Sequence, residues 1–252
     1  LIKTQLSEAY NEGIRSAAIV FMHGYRFPLH ENTVAEIAKN VGFTQVSTSN
    51  KISPLMKLVS RGDTTVVDAY ISPILRRYVD SIVKELPKVK QGRPRLQFMQ
   101  SNGGLTDGDL FQGKDSILSG PAGGVVGMAR SARMGGFEKI IGFDMGGTST
   151  DVSHFNGEFE RTFESSIAGV RMRSPMMRIH TVAAGGGSII RHVGQRFSVG
   201  PDSAGANPGP ACYRRGGPLT VTDCNLMIGK IQAEHFPKIF GPNADEPLDE
   251  KV

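Results

Sequence analysis

The chain has 252 residues, of which 39% are hydrophobic and 21% charged, with a formal charge of +5. That suffices for one large domain or two smaller ones around a real core, with the composition of an ordinary globular protein. No apolar run reaches the roughly 18 residues a membrane span needs, and the start lacks a signal peptide's basic-then-apolar plan, so neither a membrane partner nor secretion is expected. Cys212 and Cys224 are too few and too isolated for a disulfide framework or a zinc site, which fits a cytoplasmic location. The basic balance does not point to nucleic acid. Its densest stretch, KVKQGRPR at 88–95, holds Gly and Pro but no aromatic residue, and reads as a solvated connector. The 31 glycines are the anomaly, and they cluster in pairs, as in loops where backbone must approach something closely.

In chain order, residues 5–15 have helical spacing with Gly13 as a stop, and the apolar run 16–22 reads as a buried strand of a parallel sheet. His23 follows at the carboxyl end of that strand, where α/β proteins often place ligands, although a histidine there is also commonly structural. A helix over 32–40 ending at Gly42 and a strand over 44–48 complete a strand–helix–strand unit. Residues 63–86 form the longest helical pattern. Val67, Ile71, Ile74, Tyr78 and Ile82 fall on one stripe and read as core, with Pro73 either kinking the helix or opening its second half with Ser72 as cap. A strand over 95–100 runs into the turn Ser101-Asn102-Gly103-Gly104. A small-residue helix over 119–136 then begins with Pro121 at its first turn.

The centre of the chain is KIIGFDMGGTSTDVSHFNG, residues 139–157. It reads as strand, tight glycine turn, strand and hairpin. Gly146 and Gly147 lie between the strand-end carboxylate Asp144 and the hydroxyl of Thr148. Without Cβ atoms the backbone can approach a phosphate, and successive N–H groups can point at its oxygens. Asp144 and Asp151 would then face a magnesium ion held mainly through waters. The alternative is an ordinary Gly-Gly hairpin with solvated carboxylates. Further strands follow over 158–163, 168–173 and 178–183. The last leads into Gly185-Gly186-Gly187-Ser188, a run costly in chain entropy that makes sense where backbone lies against a flat ligand such as a nucleoside. A hairpin about Gly194, a Pro/Gly-rich surface loop over 200–217, and a strand then helix over 220–231 with Asp223 near the junction close the reading.

The ensemble DMGGTSTD, AAGGGS about forty residues on, and GPDSAGANPGPACYRRGGPLTVTDCNL resembles the hydantoinase A/5-oxoprolinase family. The tail HFPKIFGPNADEPLD and the segments QSNGG, SGPAGGVVG and RGDTTVVDAY look like its 5-oxoprolinase branch. The resemblance covers essentially the whole chain. It implies an α/β, actin-like or sugar-kinase-like (ribonuclease H-like) ATPase fold, here partial, with mixed sheets flanked by helices. Residues 1–136 would be the end of the first lobe and 137–252 part of the second. Asp144, Gly146, Gly147, Thr148, Thr150 and Asp151 match the second phosphate turn, and Gly185, Gly186, Gly187 and Ser188 the adenosine turn. No first phosphate turn precedes residue 139 and the chain opens on Leu1, so it reads as an internal fragment, expected to bind ATP weakly and to be inactive alone.

By the same resemblance, ATP and Mg²⁺ serve to phosphorylate the amide oxygen of a cyclic amide such as 5-oxoproline, which water then opens to glutamate. Asp144 and Asp151 would carry the catalytic and metal roles. The remaining partner would be the rest of the polypeptide or a hydantoinase B-like subunit. Sister readings are an ATP-hydrolysing hydantoinase and an ATP-dependent ketone carboxylase subunit. Rivals from other classes are a sugar or acetate kinase and a non-catalytic actin-like module.

Overall fold

A computed structural model describes residues 1–86, 95–167 and 169–251. The chain divides into two compact units, one of residues 1–138 with 156–178 and one of residues 139–155 with 179–252.

The first unit begins with α1 (Ile2–Asn11), β1 (Ser16–Ile19), α2 (Leu29–Val41) and β2 (Gln45–Thr48). β1 and β2 pair in parallel from Ser16 opposite Gln45 to Ile19 opposite Thr48, as a short apolar strand–helix–strand run dictates. Gly42 ends α2 in the left-handed conformation, φ 119°, which a residue without Cβ adopts at little cost. After the single turn α3 (Ser49–Ile52) comes α4 (Leu58–Glu85), which runs unbroken through Pro73. Ser72 is therefore not a cap; its hydroxyl instead accepts the Gly113 N–H at 3.1 Å.

The face that α4 buries differs from the expected one. Ile74 and Tyr78 are 56% and 57% exposed, while Thr64, Thr65, Asp68, Ala69, Ser72, Leu75 and Val79 are buried. That buried face is polar at the amino end of the helix and apolar further on, at Leu75 and Val79. At the amino end Arg61, on α4 itself, forms a polar centre with Glu31, both 0% exposed. Glu31 accepts from Phe21 N (2.8 Å), Ser49 Oγ (2.6 Å), Asn50 N (2.9 Å) and Asn50 Nδ2 (2.7 Å). Arg61 donates to Ser49 Oγ and to the carbonyls of Leu55, Met56, Phe21 and Met22. Every polar atom of the two buried ions is thus provided for, as burial of charge requires. The network fixes the loop that follows β1, on whose tip His23 is exposed.

The hairpin of β3 (Gln97–Met99) and β4 (Leu105–Asp107) turns at the expected glycine pair, and α5 (Gly113–Ser116) and α6 (Ser119–Met134) follow. Leu75, Val79 and Phe111 form the apolar core here, with Phe98 stacked on Phe111 at 5.2 Å. The basic connector lies outside the described residues except for Arg95, which pairs with Asp107 at 2.9 Å.

β5 (Lys139–Met145) and β6 (Thr150–Asn156) are the predicted pair around the central glycine turn. The short strands β7 (Arg161–Thr162), β8 (Ser165–Ile167), β9 (Val170–Met172) and β10 (Met176–Met177) return to the first unit, where Arg173 N donates to Thr64 Oγ1 on α4 at 2.9 Å. β11 (His180–Val182) then joins a three-stranded sheet of order β11-β6-β5. The β12 (Ser188–Val193) and β13 (Arg196–Ser203) hairpin turns at Gly194. The chain over 220–231 opens not as a strand but as a single bridge, Ile189 to Thr220, before α7 (Val221–Met227). Cys212, Leu226, Ala233, Phe240 and Leu248 form the core of this unit.

Candidate functional site: a glycine turn held by a glycine turn

Gly146 to Ser149 join β5 to β6, and the turn is closed by Gly146 N–H donating to the Ser149 carbonyl at 2.9 Å. The triple-glycine turn between β11 and β12 docks directly on it. Gly186 N–H donates to the Gly146 carbonyl at 2.9 Å and Gly187 N–H to the Gly147 carbonyl at 2.6 Å. The structure therefore brings the two predicted turns into main-chain contact.

A trans peptide holds its C=O and the following N–H on opposite sides of the chain. With the carbonyls of Gly146 and Gly147 directed at the triple-glycine turn, the N–H groups of Gly147 and Thr148 are directed away from it. Both residues are exposed, and neither N–H has a hydrogen-bond partner among the described residues. A Cβ on Gly147 would meet nothing within 4 Å. Two successive outward N–H groups above open space make a small anion cradle.

Steric demand explains the glycines opposite. A Cβ on Gly185 would lie 2.7 Å from the Gly147 carbonyl carbon, and one on Gly187 would lie 2.9 Å from the Gly147 oxygen. The closeness that sequence reasoning attributed to a flat ligand is here closeness to the other glycine turn.

The hydroxyls around the site are struts. Thr150, buried, donates to the Ala184 carbonyl at 2.6 Å, and Ser188 Oγ accepts Gly185 N–H at 2.9 Å. Thr222, in the first turn of α7, donates both its N–H and its hydroxyl to the Gly186 carbonyl, each at 2.8 Å. Thr148, by contrast, is exposed. Asp144 is exposed near the end of β5, while Asp151 on β6 is half-buried and accepts the Thr181 hydroxyl at 2.6 Å across the β6–β11 register.

The first turn of α7 also holds a residue that sequence reasoning noted without giving it a role. Asp223 accepts from Thr220 N (2.7 Å), Thr220 Oγ1 (2.9 Å), Cys212 N (2.8 Å) and Ala211 N (3.2 Å). Burial raises its pKa, but the hydrogen bonds from Cys212 and Thr220 outweigh that and hold it below the usual carboxylate value. Burial, reinforced by Asp223, pushes the Cys212 thiol up to about 12. The spacing Thr-x-x-Asp is a capping-box signal that could have located the start of α7. The role of Thr222 had no such signal.

Among the described residues no three His, Cys, Asp or Glu side chains converge as a metal cage. Asp144 and Asp151 are the two carboxylates that flank the cradle in sequence. One or two carboxylates beside a phosphate are the donor set Mg²⁺ uses, since it keeps most of its waters. Cradle and carboxylates together fit a magnesium–phosphate ligand.

Comparison with known proteins agrees with this architecture. The model of the hydantoinase/oxoprolinase family matches residues 61–252, and that of its N-terminal region matches residues 1–42. The chain belongs to the hydantoinase/oxoprolinase family. It is 50% identical to the 5-oxoprolinase of Saccharomyces cerevisiae over 254 residues, covering 98% of this chain and 19% of the relative. The chain thus spans about one fifth of the length of such relatives. Among solved structures, the nucleotide-free acetone carboxylase superposes with a TM-score of 0.77 at 25% identity, covering 99% of this chain and 36% of the other. The ATP-dependent caprolactamase of Pseudomonas jessenii gives 0.68 at 30% identity with the same coverages. The α/β fold is therefore that of the hydantoinase-like ATPases.

Proposed function

We propose that this chain supplies the phosphate-binding end of an ATP-dependent cyclic-amide hydrolase of the 5-oxoprolinase kind. The observation that carries the reading is the outward pair of N–H groups at Gly147 and Thr148, fixed from behind by Gly186 and Gly187. Such dipoles, set before the ligand arrives, need no reorganisation when negative charge appears, which makes them effective in phosphoryl transfer. The exposed Thr148 hydroxyl adds a donor at the cradle. Thr150 acts on the ligand through the turn it braces.

Asp144 and Asp151 position Mg²⁺ through water, the second with its orientation set by Thr181. Gly185, Gly186, Gly187 and Ser188 form the adenosine-side turn, with Gly185 and Gly187 also seating the phosphate turn. When bound, Mg·ATP supplies the phosphoryl group that makes the amide carbon of the substrate electrophilic. The substrate is a small cyclic amide, with 5-oxoproline favoured by the 50% identity to a 5-oxoprolinase. The rest of the polypeptide, or a hydantoinase B-like subunit, completes the reaction. Residues 1–136 belong to the first ATPase lobe and 137–252 to the second. No described helix is long and apolar enough to cross a membrane, and the enzyme works in the cytoplasm.

The test is Mg·ATP hydrolysis by the longest polypeptide carrying this chain, with and without 5-oxoproline, a hydantoin, or a ketone plus bicarbonate. Stimulation by 5-oxoproline with matching glutamate release is the expected result. Stimulation by another substrate alone would move the enzyme to that branch. No stimulation by any would overturn the hydrolase reading.

A further inference from the structure

A cavity of about 340 Å³ lies in the first unit. Consecutive residues of β2 line it, together with side chains of α2 and α4. Three of its lining groups are unusual. Thr48 is 4% exposed, and its hydroxyl is a buried side-chain oxygen with no hydrogen-bond partner, a condition that folded proteins rarely tolerate. Asp68 is 1% exposed and makes no ion pair among the described residues; it accepts only Ser47 Oγ at 2.6 Å and Lys114 N at 3.1 Å. An ionised carboxylate has about four acceptor sites, so capacity remains. Lys51, also on the wall, makes no hydrogen bond or ion pair among the described residues.

The other cations of the wall are engaged. Lys39 pairs with Glu36 at 2.9 Å, and the Arg76 guanidinium is spent on the carbonyls of Gly108 and Phe111. The cavity therefore offers one buried anion, one unused hydroxyl and one unused cation, with a second carboxylate, Asp109, exposed on its wall, beside an apolar part that includes Ile52 and Phe111.

We propose that this cavity binds a zwitterionic α-amino acid with an uncharged side chain. Its ammonium group goes to Asp68, its carboxylate to Lys51 and the Thr48 hydroxyl, and its side chain to the apolar wall. A lone anion would leave the buried Asp68 without a counter-ion and a lone amine would leave Lys51 without one, while the exposed Asp109 keeps its water; a charged side chain would have to be desolvated against Ile52 and Phe111. The site does not depend on the phosphate-binding reading, because none of its residues belongs to the glycine turns.

The test is calorimetric titration of the protein, without nucleotide, with L-alanine, L-valine, L-methionine and L-glutamine in turn. At least one should bind saturably, with an affinity at least tenfold weaker in Lys51→Ala and also weakened in Thr48→Val. The des-amino analogue of the best ligand should bind at least tenfold more weakly than the amino acid. Thr48→Val removes only the unpartnered hydroxyl, so its unfolding temperature without ligand should equal or exceed that of the wild type, which makes it the folding control. No saturable binding by any of the four would overturn the proposal. So would binding undiminished in both variants, or a des-amino analogue that binds as tightly as the amino acid.

Discussion

Gly185 faces Gly147 so closely that a single methyl group on the first would sit 2.7 Å from the carbonyl carbon of the second. The atoms in the way are main chain, which cannot rotate aside. Gly185→Ala must therefore push the two turns apart, and overpacking of this kind costs about 1–3 kcal/mol. The expected result is a lower unfolding temperature together with weaker nucleotide binding.

Gly147→Ala is the complementary experiment. Nothing lies within 4 Å of the added Cβ, and no positive φ forbids it. Stability should stay within about 0.5 kcal/mol of wild type, as for an unobstructed surface change. Nucleotide affinity should fall, because the methyl group occupies space over the cradle; the loss should be about 1.5–3 kcal/mol, the worth of a hydrogen bond to a charged group. Isothermal titration beside thermal melts separates the two effects. Unchanged affinity for Mg·ATP would remove the cradle from the site.

Asp144 and Asp151 should separate in the same assay. Asp144→Ala removes an exposed group with no structural partner among the described residues, so it should leave the melting temperature unchanged and lower Mg·ATP turnover by on the order of 10². Asp151→Asn keeps an oxygen for the Thr181 hydroxyl and should fold normally with similarly reduced turnover. Raised magnesium should partly restore either variant.

Cys212 and Cys224 should differ in reactivity. Cys212 is 1% exposed with its pKa near 12, so it remains a thiol at neutral pH. Iodoacetamide at about pH 8, near the ordinary cysteine pKa, should label the partly exposed Cys224 and leave Cys212 untouched until unfolding. A raised thiol pKa also means that this group's contribution to stability is intact below the ordinary value of 9.0 and is lost as pH climbs towards 12.

Acid should act through the opposite sign. Glu31 is buried, which raises its pKa, yet hydrogen bonds from Ser49, Phe21 and Asn50 bring it below the usual value; Asp223 behaves alike. Their contribution is complete above the ordinary carboxylate pKa of about 4 and disappears as pH falls through the lower folded values. Urea midpoints measured from about pH 6 down to 3 should decline, and Asp223→Asn should flatten that decline.

Much of this was legible in the sequence because it depended on local chemistry. The parallel β1–β2 pair, the Gly42 stop, the glycine turn after β3 and the hairpin at Gly194 all follow from short apolar runs and glycine placement. The buried face of α4 was not legible. Its apolar stripe at Ile74 and Tyr78 faces outward, while the buried face carries Leu75 and Val79 against Phe111 and, nearer the amino end, Thr64, Thr65 and Asp68 beside the polar centre of Glu31 and Arg61. Hydrophobic periodicity cannot register the part of that face made of charged and hydroxyl groups. The two central turns were each read correctly as turns, but no pattern announced that one is seated on the other. That fact lies in hydrogen bonds between residues some forty positions apart.

The cradle is made of main-chain N–H groups, so exchanging a side chain cannot delete it. Damage there comes from adding atoms, not from taking them away. Gly185 and Gly187, where an added Cβ would run into the main chain of the turn, sit behind it on the side away from its free N–H groups. A missense change at either would look, on a ligand-contact map, like a change at a bystander.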